Sequence, residues 1–269
     1  SGTSWSQQAK IQASDAAGFD YMAVVAIDGD TIVAGAYGES SLAGAAYVFT
    51  RSGTSWSQQA KLQSSDIAAG DQFGGSVAIE GDTLVVGSRR VDTGGSNAGA
   101  AYVFTRSGTS WSQQAKLQAS DKAAGDYFGG YVAIGGDTVV AGAQLKNSYA
   151  GAAYVFTRSG TSWSQQAKLV ASDIQAGDRF GGSVGIEGDT IVVGAYKEAA
   201  GGTDAGAAYV FTRSGTSWTE AKKIVASDAE ASDEFGISVD ISSNTVVAGS
   251  YLEDTGGSDA GAAYTFVAG

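Results

Sequence analysis

Five times the chain returns to the letters SGTSW, at Ser1, Ser52, Ser107, Ser159 and Ser214, and this repetition constrains the fold more than any other feature. The spacings are 51, 55, 52 and 55 residues. Four copies read SGTSWSQQAK unchanged, and the fifth reads SGTSWTEAKK. Each unit closes on a second shared string, GAAYVFTR from Gly44, Gly99, Gly151 and Gly206, and GAAYTFVAG from Gly261. A period of this length marks supersecondary units that cannot bury their own faces and must stack on neighbours. The units 1–51, 52–106, 107–158, 159–213 and 214–269 therefore make one domain. Their near-identity points to duplication of a single ancestor or to deliberate construction.

Each unit reads as four short strands and no helix. In the second unit Trp56, Gln58, Ala60 and Leu62 alternate with Ser57, Gln59 and Lys61, the period of a strand wet on one side. Phe73–Ile79 and Thr83–Ser88 follow, joined by Glu80-Gly81-Asp82, whose Gly supplies the positive φ of a tight hairpin. Ala100–Thr105 is apolar on both faces, as in a sheet sandwiched between two others. Repeated four-stranded units of this size are the signature of a β-propeller.

Composition removes several function classes. The chain has no Cys and no His, so disulfides, thiol nucleophiles, Ser-His-Asp triads and ordinary zinc centres are out. A net charge of −12 makes nucleic acid and anionic membrane surfaces poor partners. No apolar run approaches the roughly 20 residues of a membrane-spanning helix.

The recurring strings resemble the FG-GAP repeat family, the integrin-α-type propeller blades also found in bacterial surface proteins. The Phe-Gly half is Phe73-Gly74, Phe128-Gly129, Phe180-Gly181 and Phe235-Gly236. The second half stands at Gly35-Ala36, Gly87-Ser88, Gly142-Ala143, Gly194-Ala195 and Gly249-Ser250, each without its Pro. The first unit lacks Phe-Gly and offers Tyr21 in its place, followed by Met22-Ala23. The resemblance implies an all-β, five-bladed β-propeller with four antiparallel strands per blade and a location outside the cell or on its surface. In blade order the Phe-Gly strand is innermost and the Trp strand outermost. Trp5–Gln12 is then expected to complete the blade that ends at Phe266, closing a monomeric ring. Integrin-type blades often carry an Asp-x-Asp-x-Asp-Gly calcium loop. Here it has shrunk to Asp28-Gly29-Asp30, Glu80-Gly81-Asp82 and their equivalents, too few oxygens for calcium's six to eight ligands. The family's calcium sites are therefore not carried over, and calcium stays an open alternative for the paired Asp of the loops.

Antiparallel topology sorts the connections onto two ends. The end formed by the fourth-to-first and second-to-third connections holds 19 of the 28 acidic residues and 6 of the 16 basic ones. We call it the loop face. Its loops also vary most, whereas the other end repeats TRSGTSW. The candidate ligand-binding residues are therefore Asp15, Asp66, Asp71, Asp121, Asp126, Asp173, Asp178, Asp228 and Asp233. Asp in Ser-Asp and Gly-Asp loops also caps turns through its own backbone, the plainer reading of the same residues. The five Trp read as packing, one per unit at a fixed place, ahead of a ring of sugar-stacking platforms. The expected function is non-enzymatic: a binding, adhesion or scaffold module with a protein or carbohydrate ligand. The alternatives are a lectin with sites between blades, or an engineered or amplified array without a selected ligand. A lectin should repeat a loop aromatic in every unit, but Tyr37, Tyr149, Tyr196 and Tyr251 leave the second unit without one.

Overall fold

The computed structural model describes residues 4–268. It is a five-bladed β-propeller, built from antiparallel sheets whose strands follow sequence order. The first blade holds β1 (Met22–Asp28), β2 (Thr31–Ala36), β3 (Ala45–Ser52) and β4 (Ser55–Leu62). The second holds β5 (Phe73–Glu80), β6 (Thr83–Ser88), β7 (Ala100–Ser107) and β8 (Ser110–Leu117). The third holds β9 (Tyr131–Gly135), β10 (Thr138–Gly142), β11 (Ala153–Ser159) and β12 (Ser162–Leu169). The fourth holds β13 (Ser183–Glu187), β14 (Thr190–Ala195), β15 (Ala207–Ser214) and β16 (Ser217–Ile224). The fifth holds β17 (Ser238–Ser242), β18 (Thr245–Ser250) and β19 (Ala262–Val267). Glu39–Leu42 and Lys146–Tyr149 form single helical turns, broken by left-handed residues at Ser40, Ser41, Asn147 and Ser148.

At the four internal junctions the forward face of one blade meets the back face of the next. Between the first and second blades, Val33, Val48 and Leu62 meet Phe73, Val77, Leu84, Tyr102 and Phe104. Between the second and third, Val85, Val103 and Leu117 meet Phe128, Val132, Val139, Tyr154 and Phe156. Each fully buried Phe of the motif packs edge-on against the following Phe of its blade at 5.9–6.0 Å. Burial of one such ring stabilises the fold by roughly 1.5–3 kcal/mol.

Both halves of the motif have one geometric cause. Gly74 sits at φ +87, a conformation that favours Gly, and this turns its carbonyl toward the preceding blade. There a Cβ on Gly35 would lie 2.0 Å from the Gly74 oxygen. Gly87 faces Gly129 and Gly194 faces Gly236 in the same way, each also at 2.0 Å. The two backbones touch, so neither position admits a side chain.

Two expectations are corrected. The first concerns closure. Trp5–Gln12 forms no strand, and the fifth blade has three strands instead of four. The segment is held against the first blade instead, where Ile11 and Ala13 pack on Ala34, Ala36 and Tyr47 and Gln8 accepts a hydrogen bond from the Trp56 indole. The second concerns Tyr21. Met22 pairs with Ala36 as Phe73 pairs with Ser88, so Met22 takes the Phe place. Tyr21 occupies the position of Gln72, with the same left-handed φ, and stacks on Tyr37 with ring centres 5.4 Å apart.

Candidate functional site

The loop entering each blade carries two Asp five residues apart, and the structure gives them different partners. The first accepts hydrogen bonds from a Tyr on the third strand and a Lys on the fourth. Asp66 takes the Tyr102 hydroxyl at 2.9 Å and the Lys116 ammonium at 2.6 Å. Asp121 takes Tyr154 at 2.6 Å and Lys168 at 2.8 Å, and Asp173 takes Tyr209 at 2.8 Å and Lys223 at 2.6 Å. Each ammonium also lies over the ring of its Tyr, 5.5–5.8 Å from the centroid. Asp15 keeps Lys61 at 2.7 Å, while the buried Tyr47 hydroxyl has no hydrogen-bond partner. Asp228 keeps Tyr264 at 2.9 Å and has no Lys partner among the described residues.

These partners set the acidity. Partial burial pushes the Asp66, Asp121 and Asp173 carboxyls up, but the Lys and Tyr hydrogen bonds outweigh it and hold all three below the usual carboxylate range. Asp121 comes down to about 2. The Lys61 hydrogen bond lowers Asp15 in the same direction.

The second Asp caps its own loop. Asp71 Oδ2 accepts the Ala68 N–H at 2.8 Å, Asp126 that of Ala123 at 2.7 Å, Asp178 that of Gln175 at 2.6 Å and Asp233 that of Glu230 at 2.7 Å. All four are buried, and burial raises the carboxyls of Asp71 and Asp178. Asp126 has a further partner, Lys146, at 2.8 Å. A fifth member of this set was not singled out from sequence. Asp20 accepts the Ala17 N–H at 2.7 Å, and it stands five residues after Asp15 as Asp71 stands after Asp66. That shared spacing was the available signal, masked because Phe19 stands where Gly precedes three of the other four and Ser232 precedes the last.

The hairpin acids are also engaged. Asp30, Asp82, Asp137 and Asp189 each take the guanidinium of Arg51, Arg106, Arg158 and Arg213 at 2.5–2.7 Å. Arg106 reaches on to Thr31 of the preceding blade at 2.9 Å, and Arg158 likewise to Thr83. Trp56, Trp111, Trp163 and Trp218 are partly buried against the core, each under an Arg and hydrogen-bonded through its indole N–H to a Gln. Trp5 is fully exposed.

No group of three or more acidic side chains is arranged to hold a metal ion among the described residues. The Gly-rich loops Asp92–Asn97 and Asp254–Asp259 spend their first carboxylate on their own backbone, at 2.8 and 2.7 Å. Among the residues the loop face leaves outward are four aromatics, Phe19, Tyr21, Tyr149 and Tyr251, beside exposed acids such as Asp92, Asp254 and Asp259. The Arg179 guanidinium lies 4.7 Å above the Tyr149 ring. The four Lys of the outer strands bring their ammonium groups to the same face, so its negative excess is smaller than loop counting alone indicates.

No curated protein matches the chain. The FG-GAP repeat profile matches it five times, over residues 5–49, 56–104, 111–156, 163–211 and 218–266. Those matches span the Phe-Gly carbonyl, the side-chain-free Gly that receives it and the Tyr-Val-Phe strand behind them in successive units, and the chain belongs to the FG-GAP repeat family.

Proposed function

We propose that the protein is a non-enzymatic binding module of an extracellular or cell-surface protein, working through its loop face. FG-GAP propellers are a kind of module that mediates binding, and one feature favours the loop face. Phe19, Tyr21, Tyr149 and Tyr251 stand exposed among carboxylates at the end where loop length and sequence vary. Rigid aromatic rings give contact area at low entropic cost, and neighbouring carboxylates select cationic or hydroxyl-rich partners. The clamped and capping Asp residues orient these loops, while the outward rings and the unclamped acids make the contact. Loops on a rigid scaffold are the usual place for recognition.

The test uses a printed glycan array and a library of lysine- and arginine-rich peptides as probes, with and without calcium. Retained probes should lose at least about ten-fold in affinity with Tyr149→Ser and Tyr251→Ser combined, since central aromatics at interfaces carry about 2 kcal/mol or more. Thr109→Ala, at the opposite end, should leave binding unchanged. Binding that ignores the Tyr substitutions and falls with Thr109→Ala would put the site elsewhere, and an absence of any retained probe would favour a scaffold.

A further inference from the structure

The four internal junctions show what covers a forward or a back face: another blade of the same kind. Two such faces have no cover. On the back of the first blade, Val25 is 67% exposed where its counterpart Val77 is 7%, and Ile27 is exposed beside it. On the front of the fifth blade, Val247, Ala263, Thr265 and Val267 are exposed, and the outer edge of β19 is unpaired among the described residues. Beside that edge runs a groove of about 530 Å³ lined by Ala221, Ile224, Ile241, Val246 and Phe266, the space an outer strand fills in the other blades.

The missing strand has a matching surplus. Gln8 accepts from Trp56 as Gln59 accepts from Trp111, and the Ser14 N–H donates to Gln58 as that of Ser65 donates to Gln113. The N-terminal segment is thus held as the outer strand of a preceding blade whose other three strands are absent from its side. Its charge fits too. Lys10 occupies the place of Lys61, Lys116, Lys168 and Lys223, and it makes no ion pair among the described residues. Asp228 and Glu253 occupy the places of Asp173 and Glu198, the two acids that Lys223 bridges at 2.6 and 2.9 Å, and neither has a Lys partner among the described residues.

We infer that the chain associates head to tail with a second copy, Ser4–Ile11 of one copy pairing with β19 of the other to complete a composite blade. By equivalence with β3 and β4, Ile11 lies opposite Ala263, Lys10 opposite Tyr264, and Ser6 opposite Val267. The front of β17–β19 then covers Val25 and Ile27, and Lys10 bridges Asp228 and Glu253. The contact is heterologous, so it builds a closed ring of copies or an open filament. Asp240 and Thr265 replace the Ala or Gly and the Val of the other forward faces, which makes this joint weaker than the internal ones. Association is therefore concentration-dependent.

The chain has no Cys, so single-cysteine variants report the contact directly. Ser6→Cys and Val267→Cys chains are mixed and oxidised. A disulfide-linked heterodimer is expected, rising with concentration, and the double variant should give a ladder. Adding Lys10→Glu should weaken association about ten-fold or more, the loss expected for a charged hydrogen bond. Asp240→Ala with Thr265→Val should strengthen it, a gain that a purely stabilising change within one copy would not produce. A double variant that cross-links only within itself would overturn the inference in favour of closure in one chain. So would mixed variants that fail to cross-link while light scattering shows monomer at every concentration.

Discussion

Lys146 and Asp126 lie 2.8 Å apart with side chains 5% and 6% exposed, and neither can turn to water. The same ammonium donates to the Asp121 carbonyl at 2.8 Å, so one cation holds two loops of the third blade. Removing one member of a buried pair leaves the other charged and uncompensated. Lys146→Met should cost about 3–5 kcal/mol in chemical denaturation, whereas Lys222→Met, on the exposed side of its strand, should cost less than about 0.5 kcal/mol. Asp121 supplies a pH test. Its folded carboxyl titrates at about 2 against an unfolded value near ~3.9. A depressed carboxyl stabilises the fold above the unfolded value and loses that contribution as pH falls through the folded one. Stability should therefore drop between about pH 4 and pH 2, and Asp121→Asn should flatten that part of the curve, as read by melting temperature against pH. Part of this was visible in the letters. The recurrence of Asp at fixed spacing pointed to these loops, and the turn-capping reading holds for the second Asp of each pair. The Lys and Tyr partners were hidden because they come from strands 30 to 50 residues further on, whose loop-face ends only antiparallel pairing brings beside the Asp.

Between elements, the Gly-to-Gly contact separates positions that look identical in sequence. A Cβ at Gly87 meets the Gly129 carbonyl at 2.0 Å, and backbone on both sides prevents either from yielding. At Gly249, in the same motif position of the fifth blade, the nearest atom is the movable Ser238 hydroxyl at 2.5 Å, and no following blade is present. Gly87→Ala should destabilise by at least about 1–3 kcal/mol, the range for overpacking, and Gly249→Ala by less than about 0.5 kcal/mol. Equal losses in urea unfolding would show that Gly249, like Gly87, faces the backbone of a covering blade. Strand positions were legible nearly to the residue: Phe73–Ile79 against β5 and Thr83–Ser88 against β6. The register of the first blade was not, because Met22 in the Phe place and the single Ala23 in place of two Gly leave nothing in the letters to align.

Across the whole molecule, burial falls toward both ends of the array. The middle blades have two covered faces, while β1 and β19 alternate between half-buried and exposed positions along their length. Local opening follows buried contact, so amides of β6, β7, β10 and β11 should exchange slowest. Those of β19 that point away from β18 should exchange fastest among the strands, as measured by hydrogen-exchange mass spectrometry at low protein concentration. Slow exchange there would mean the edge is covered even in dilute solution. The five-bladed architecture followed from the repeat count, yet the closing strand did not. A strand's own alternation shows which face it buries and is silent on which neighbour it joins. The Gly contacts carry one more consequence. Near the axis two bare backbones meet, while further out Tyr102, Phe104 and Trp111 keep the same pair of sheets apart. Every junction is a wedge, thin at the hub and thick at the rim, and its taper is fixed by the smallest and the bulkiest residues of the repeat. Those residues, more than the number of repeats a gene encodes, determine how many units a full turn will accept.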